Sequence, residues 1–567
     1  MSKLYLKKIF YPLDSLKKIF LLSSIFVFSW SLFSIFLKYN GLVFYKSFGA
    51  DILLSNLIFS LLITFFLRSI FFSSIGFFVF MTLPFLSYFY LRKGILYADL
   101  KDIDELLYAL GDLSSYLALT IIFVFIVLII YSNIKNFNFK IFVTQIIFII
   151  LTYLSFIQPE NFKRILYPKK MIIDEFNISA SFRFIGPVNG LFYNYLDTLS
   201  FERALSDNEQ ITTYNDFRSF NYSKNKKLNN IHLILLESFI DPLDFKNIKI
   251  KNNIIPDQWI EYKQSNIINA ISPVIGGGSA QAEFEVICGV PSLLEYGTEF
   301  NRIGLNETSC LPNFLKKLGY KNIASQPLYA SFFNIGKAYK SFGFDENYLA
   351  SELDMSEMDN GWLKDESFFN QHFQLIEPFI KNDKPIFNYL FAVGCHSTLG
   401  QNKNQKKLIN YPGSQTLERF LNCNTETLNH LIKYINKIQK LDPDSLIIVL
   451  PDHQPPGVIS SFEDAGYYCD QTDSNCSRKV RGMLLGFKEI ENYKNKNLAY
   501  YEIPELIINE ISNNFLCKTI KCLSVGDQIN LNGTIVNRTN LKKESDQTLS
   551  ETHKEKYISL IQESWLK

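Results

Sequence analysis

The sequence predicts a two-part protein, an α-helical membrane domain of five transmembrane helices followed by an extracytoplasmic α/β domain with a mostly parallel central sheet. Three observations carry that expectation. Five long apolar runs fill the first 157 residues, short apolar strands alternate with amphipathic helices after residue 230, and all eight cysteines lie beyond residue 287. At 567 residues the chain is also too long for a single core.

The apolar runs fall at 19–37, 52–67, 70–91, 115–132 and 141–157. Each approaches the ~20 residues that a helix needs to cross a bilayer. The first is too long for a removable signal peptide and no small-residue cleavage site follows it. Only Arg68 and Ser69 separate the second from the third, which reads as a tight helical hairpin. With the N-terminus in the cytoplasm, the inner segments carry Lys3, Lys7, Lys8, Lys17, Lys18, Arg68, Lys135 and Lys140. The outer loops carry Lys38, Lys46, Arg92, Lys93 and Lys101, a modest bias in the expected sense. Five crossings of the inner (cytoplasmic) membrane then place residue 158 onward in the periplasm or outside the cell. No Asp, Glu or His falls within the five runs, so an ion pathway is not indicated.

Cysteine usage agrees with that topology, because disulfides persist in oxidising compartments. Cys469 with Cys476, and Cys517 with Cys522, are near enough in sequence to be local staples; buried thiols are the alternative. No CxxC pairs with a second CxxC or with nearby histidines, which argues against a structural zinc site. The net charge of +2 and the absence of a basic patch with interleaved aromatics give no support for a nucleic-acid partner.

Residues 1–157 are thus read as the transmembrane domain and 158–229 as a juxtamembrane connector, whose aromatic stretch FIGPVNGLFYNYLDTLSF suits a membrane surface. Residues 230–530 form the α/β domain, and 531–567 a polar, peripheral tail ending in a short helix. Strands are expected at 231–237, 321–325, 385–394, 445–451 and 482–487, and helices at 279–289, 311–318, 365–380, 415–439 and 503–513. Near-continuous apolar strands alternating with helices argue a parallel sheet covered on both faces.

Ligands of open α/β sheets bind beyond the carboxyl ends of the strands. Those positions hold Glu237 in LILLES, Asp452 and His453 after Pro451, and His396 after Gly394 and Cys395. In SPVIGGGSAQAEFEVICGVPS three glycines precede Ser279 at a helix start. Each has a plainer reading: Glu237 as an ion-pair residue, Asp452–His453 as turn chemistry, His396 as a structural histidine, and the glycines as a tight turn. Their convergence on one sheet edge favours a site. Carboxylates, an imidazole and a hydroxyl suit one divalent ion such as manganese, magnesium or zinc. A metal activates a hydroxyl nucleophile such as Ser279, and a glycine-rich helix start accepts phosphate. His396 is placed to hold a phosphate oxygen or protonate a leaving alkoxide.

In this order, the motifs LLES, GSAQAEF, the histidine after a strand, and PDH resemble the lipoteichoic acid synthase and phosphoglycerol transferase family of the alkaline phosphatase/sulfatase superfamily. Five membrane helices before an extracellular domain are the synthase layout, the connector GLFYNYL is similar to the corresponding family segment, and ICGVPSL looks closer to periplasmic glucan phosphoglycerol transferases. The resemblance implies a sulfatase-like α/β fold, with Glu237, Asp452 and His453 as ligands of one divalent metal, manganese first, and Ser279 as both nucleophile and ligand where the synthases usually have Thr. It implies His396 as a substrate-phosphate residue. NGWLKDESFF resembles the family's Trp-Gly-x-x-Asp stretch, with Gly361–Trp362 in reversed order, and points to Trp362 and Asp365 as substrate-site neighbours. The implied reaction moves a phosphoglycerol head group from phosphatidylglycerol to a glycan or polymer hydroxyl through a phospho-serine.

A phosphoethanolamine transferase acting from phosphatidylethanolamine on lipid A or glycan is the main alternative. A sulfatase needs a C/S-x-P-x-R context that neither Ser279 nor Cys288 has. A non-catalytic membrane scaffold is the remaining reading, disfavoured by retention of every candidate site residue.

Overall fold

The computed structural model describes residues 16–39, 50–78, 138–166, parts of 190–199, 228–512 with short breaks (chiefly 293–299, 397–406 and 470–475), and parts of 557–564. The chain divides into two compact units, Met1–Glu209 and Gln210–Lys567.

In the first unit, helices α1 (Leu16–Tyr39), α2 (Ala50–Leu67) and α3 (Phe139–Ile157) coincide with three of the five apolar runs. Ile19, Phe65 and Ile141 pack together from the three helices. Polar groups buried among them find partners: Ser23 Oγ bonds Thr64 Oγ1 at 3.1 Å, and Gln145 Nε2 donates to the Phe65 carbonyl at 2.5 Å, the interhelical bonding expected of apolar bundles. Arg68 takes a left-handed backbone (φ 47°) where the chain turns after α2, and residues 70–78 are helical again. The second arm of the expected hairpin lies mostly outside the described residues. Among the described residues one helix, through Leu16–Phe33, is both long and apolar enough to cross a membrane, and Asn56–Leu67 and Phe139–Ser155 are shorter apolar stretches. The run at 115–132 and most of 70–91 lie outside the described residues. The short helix α4 (Pro159–Leu166) begins the connector, and Leu196 from GLFYNYL is buried against Ile58, Phe162 and Phe192.

The second unit is built on an eight-stranded sheet. Its strands are β1 (Ile231–Leu236), β2 (Ile267–Ile271), β3 (Lys321–Ser325), β4 (Glu346–Tyr348), β7 (Ile386–Ala392), β8 (Leu446–Pro451), β9 (Lys479–Leu485) and β10 (Asn497–Ala499); β5 (Met358–Asp359) and β6 (Trp362–Leu363) form a separate hairpin. The spatial order is β10-β2-β9-β8-β1-β7-β3-β4, and only β9 runs against its neighbours. The mostly parallel expectation holds, with GMLLGF supplying the antiparallel strand. The sequence missed the short strands β2, β4 and β10.

Strands β1, β7 and β8 are buried along their whole length. Helices α5 (Asp257–Ser265), α6 (Ser279–Cys288), α7 (Leu311–Lys317), α8 (Ile335–Phe342), α9 (Asp365–Ile380), α10 (Gln415–Leu441) and α11 (Ile503–Ser512) surround them. On one face Ile234, Leu236, Leu390, Ile447 and Val449 meet Phe368, Phe369, Ile376, Leu428, Leu431 and Ile435 of α9 and α10. Alternation along β7 sends Phe387 and Tyr389 to the other face, against Phe344 and the buried Glu283 of α6. Burial of both faces explains why these strands carry no polar/apolar alternation.

Three disulfides, Cys288–Cys310, Cys395–Cys423 and Cys469–Cys476, bear out the oxidised reading. The Cys517–Cys522 expectation lies outside the described residues. One expectation is corrected. The end of the tail is not peripheral, because Tyr557 and Ile561 are fully buried and Tyr557 lies against Phe284 of α6. Gly304 and Ser309 donate backbone bonds to Ser564 and Glu563. The spacing of Tyr557, Leu560 and Ile561 is an apolar helical stripe, short enough to be lost in its polar surroundings.

Candidate active site

Register places the core of the site. Leu236 stands opposite both Ala392 and Pro451, so the residues that follow all three strands emerge side by side. The ladder continues past the strand ends: Glu237 N donates to the Ala392 carbonyl at 2.9 Å, and Asp452 N to the Leu236 carbonyl at 3.0 Å.

Glu237, Asp452 and His453 bring one potential ligand atom each to within 4.8 Å of one another, and all three are buried. Asp452 Oδ1 accepts from the backbone N–H of Ser238 and of His453, both at 2.7 Å. Its Oδ2 is buried without a hydrogen-bond partner. His453 Nδ1 lies 2.9 Å from the Gln454 carbonyl; a carbonyl only accepts, so Nδ1 carries the proton and Nε2 presents a lone pair. That Nε2 is likewise unpartnered, 3.2 Å from Asp452 Oδ2 and 3.8 Å from Glu237 Oε1. Burial, and then the Asp452 charge, push the Glu237 carboxyl well above its ordinary pKa. Orphaned acceptors converging in a buried pocket are costly without a cation. The donor set of oxygens plus one imidazole therefore fits a divalent metal.

Ser279 begins α6 after three glycines with φ of 62°, 153° and 83°, a backbone that side-chain-bearing residues rarely adopt. A Cβ on Gly276 would also press on Pro456 at 3.0 Å. Ser279 Oγ donates to Glu237 Oε2 at 3.3 Å, joining the hydroxyl to the carboxylate cluster.

His396 follows β7 in a turn closed by its own N–H to the Val393 carbonyl at 3.1 Å. Desolvation holds its pKa below the ordinary value, while the Asp452 charge acts the other way. Trp362, on the β5–β6 hairpin, packs against the imidazole in a tilted arrangement with ring centroids 4.1 Å apart. Asp365 sits behind this turn instead of beside the metal ligands. Its Oδ1 accepts from Gly394 N at 2.9 Å and its Oδ2 from Thr427 Oγ1. A Cβ on Gly394 would fall 2.5 Å from that carboxylate, which is why glycine stands there. The Cys395–Cys423 disulfide ties the same turn to α10.

Sequence reasoning missed four supports. Ser238 donates Oγ to Glu237 Oε1 at 2.7 Å, and Asn424 Nδ2 bonds the Ser238 carbonyl at 3.1 Å. Ser272 Oγ holds the Asp452 carbonyl at 2.6 Å, and Gln454 Nε2 bonds the Cys476 and Lys479 carbonyls at 2.7 and 2.6 Å. Ser238 and Gln454 flank singled-out residues and so were within reach; Asn424 is 186 positions from its partner and had no signal.

The site is thus a buried cluster of two carboxylates and one imidazole that could hold a metal ion, beside a helix-start hydroxyl at the edge of a mostly parallel sheet. Residues 229–479 match the model of the Sulfatase family. Curated relatives include a putative cyclic beta-1,2-glucan modification protein of Rhizobium meliloti, 26% identical over 245 residues (41% of this chain, 37% of that protein). They also include the lipoteichoic acid synthase of Staphylococcus saprophyticus, 25% identical over 300 residues (48% and 44%). The chain thus spans less than half the length of these two curated relatives. Among solved structures, the lipoteichoic acid synthase LtaP of Listeria monocytogenes aligns with a TM-score of 0.47 at 18% identity, covering 63% of this chain and 96% of that one. The relationship to lipoteichoic acid synthases agrees with the motif order.

Proposed function

We propose that the protein transfers a phosphoglycerol head group from phosphatidylglycerol to the hydroxyl of an extracytoplasmic glycan or polymer, from a multi-pass anchor in the cytoplasmic membrane with its N-terminus inside. The observation that carries this reading is the contact of Ser279 Oγ with Glu237 Oε2 at 3.3 Å, beside the unpartnered Asp452 Oδ2 and His453 Nε2. Glu237, Asp452, His453 and Ser279 would hold one divalent ion, manganese before magnesium or zinc. When bound, it would supply positive charge that lowers the pKa of the hydroxyl and stabilises the transferring phosphoryl group. Ser279 Oγ attacks the donor phosphorus as its proton passes to Glu237 Oε2, the acceptor it bonds; an Oγ–P bond forms and the phosphorus–oxygen bond to diacylglycerol breaks. His396, backed by Trp362, holds a phosphate oxygen and gives a proton to the departing alkoxide. An acceptor hydroxyl then attacks the phosphorus and gives its proton to His396, while Ser279 Oγ leaves and regains its proton from Glu237.

Support comes from two of its relatives, a lipoteichoic acid synthase and a putative cyclic beta-1,2-glucan modification protein. Phosphoethanolamine transfer from phosphatidylethanolamine uses the same residues and is the second reading. Intact-mass measurement of the full-length protein incubated with each phospholipid separates the two. A glycerol-phosphate adduct on Ser279, absent in Ser279→Ala, is expected; an ethanolamine-phosphate adduct would favour the second reading, and an unmodified serine with both donors would sink both.

A further inference from the structure

Helix α6 carries a second buried carboxylate one turn beyond Ser279. Residues four apart lie on the same helix face, so Glu283 follows Ser279 toward the sheet. Its Oε2 accepts from two phenols, Tyr339 Oη of α8 at 2.5 Å and Tyr389 Oη of β7 at 2.8 Å. Gln326 Nε2 donates to Tyr339 Oη at 2.7 Å, which turns that phenol's own proton toward Glu283. Glu283, Tyr339, Tyr389 and Gln326 are all buried. Two elements, α8 and β7, thus converge on one carboxylate oxygen of α6, and none of the four side chains belongs to the metal-binding cluster.

The consequence for α6 is geometric. Its first turn has no side-chain cap, since Gly278 precedes it in a left-handed conformation. Rotation of α6 about its axis, or a slide along it, would pull Glu283 off both phenols together with moving Ser279 off Glu237. Two bonds to a charged acceptor resist such displacement more strongly than bonds to a neutral one.

We infer that Glu283 is a positioning residue for the nucleophile, holding Ser279 in line with the donor phosphorus through its paired bonds to Tyr339 and Tyr389. This rests on the functional reading above. Burial raises the Glu283 carboxyl to about 7, against the two phenolic bonds. The titratable groups facing it are Tyr339, Tyr389 and, through its charge, Asp452 beyond β8. Loss of its charge on acidification weakens both bonds, so the wild-type rate falls as pH drops through that value.

The test uses the full-length protein and follows formation of the Ser279 adduct from phosphatidylglycerol vesicles, with Mn2+ affinity measured separately. Glu283→Gln is a neutral isostere that keeps an acceptor oxygen. Because a displacement of about 1 Å costs up to ~100-fold in rate, Glu283→Gln should form the adduct about tenfold more slowly at pH 8. Its KM for the phospholipid should stay within about twofold of wild type, and its Mn2+ affinity should fall by less than its rate, because Glu237, Asp452 and His453 still hold the ion. The ratio of wild-type to variant rate should fall toward one below pH 7, because the wild type then carries the same neutral acceptor. Tyr339→Phe combined with Tyr389→Phe should reproduce the rate loss. A Glu283→Gln profile identical to wild type at every pH overturns the inference, as does parallel loss of rate, Mn2+ affinity and melting temperature. A wild type that forms no Ser279 adduct overturns the functional reading, and this one with it.

Discussion

The two sides of the site are held by different means. Glu237, Asp452 and His453 ride on strand ends whose backbone ladder continues into the pocket, so parallel pairing itself aligns their ligand atoms. Ser279 and His396 sit instead on a helix start and a turn, with their alignment supplied by distant side chains and disulfides. Glu283 with two tyrosines braces the first; Asp365, Thr427 and Cys395–Cys423 brace the second. Metal binding should therefore depend on a few local residues, whereas substrate alignment depends on supports spread through the domain.

The largest effect should come from the strand-end side. Asp452→Asn must keep its oxygen on the Ser238 and His453 N–H groups, which turns the amide NH2 into the ligand cluster. Mn2+ affinity should fall at least ~100-fold, read by calorimetry on the full-length protein, and removing metal with a chelator should abolish turnover and lower the melting temperature of the wild type alone. Retained Mn2+ binding in the variant would break the division drawn above.

A smaller effect tests the other side. Cys423→Ser frees the His396 turn from α10 while Asp365 still holds Gly394. KM for phosphatidylglycerol should rise by about tenfold, with Mn2+ affinity unchanged. Equal losses in both would show that the two sides are mechanically one.

A further effect is on stability and lies away from the site. His232 and His372 are fully buried and joined through Asn388, with Nε2 of His372 2.9 Å from Asn388 Oδ1 and Nδ1 of His232 3.1 Å from Asn388 Nδ2. Burial lowers each to about 3 from 6.5. The unfolded chain therefore binds more protons in this window. Their contribution is fully present above pH 6.5 and is lost as pH falls toward 3, by about 1.4 kcal/mol per pH unit for each histidine. Denaturant midpoints of the full-length protein between pH 7 and 5 should fall accordingly; invariance would mean that these histidines are not neutral in the fold.

Much of the α/β unit was legible because its signals are local. The apolar runs at 231–237, 385–394 and 445–451 could be buried only as central strands, and the residues after them had to meet at one edge. The short strands β2, β4 and β10 had too few residues to show a period. The buried end of the tail was hidden for a similar reason, its Tyr557, Leu560 and Ile561 making a stripe one turn long. Asp365 was singled out beside the substrate site, but its bonds to Gly394 N and Thr427 Oγ1 had no signal, since a motif does not say which way a carboxylate faces.

By itself, then, the sequence marked the division into an apolar first part and a cysteine-bearing α/β unit, and singled out Glu237, Ser279, Asp452 and His453, which the fold brings together. Those follow from composition and strand ends, which are properties of contiguous residues. Tertiary structure alone decided which cysteines pair across 22 and 28 positions, which histidine nitrogen faces the ligand cluster, and what fixes the nucleophile helix. These are contacts between residues distant in the chain, and short-range pattern holds no record of them.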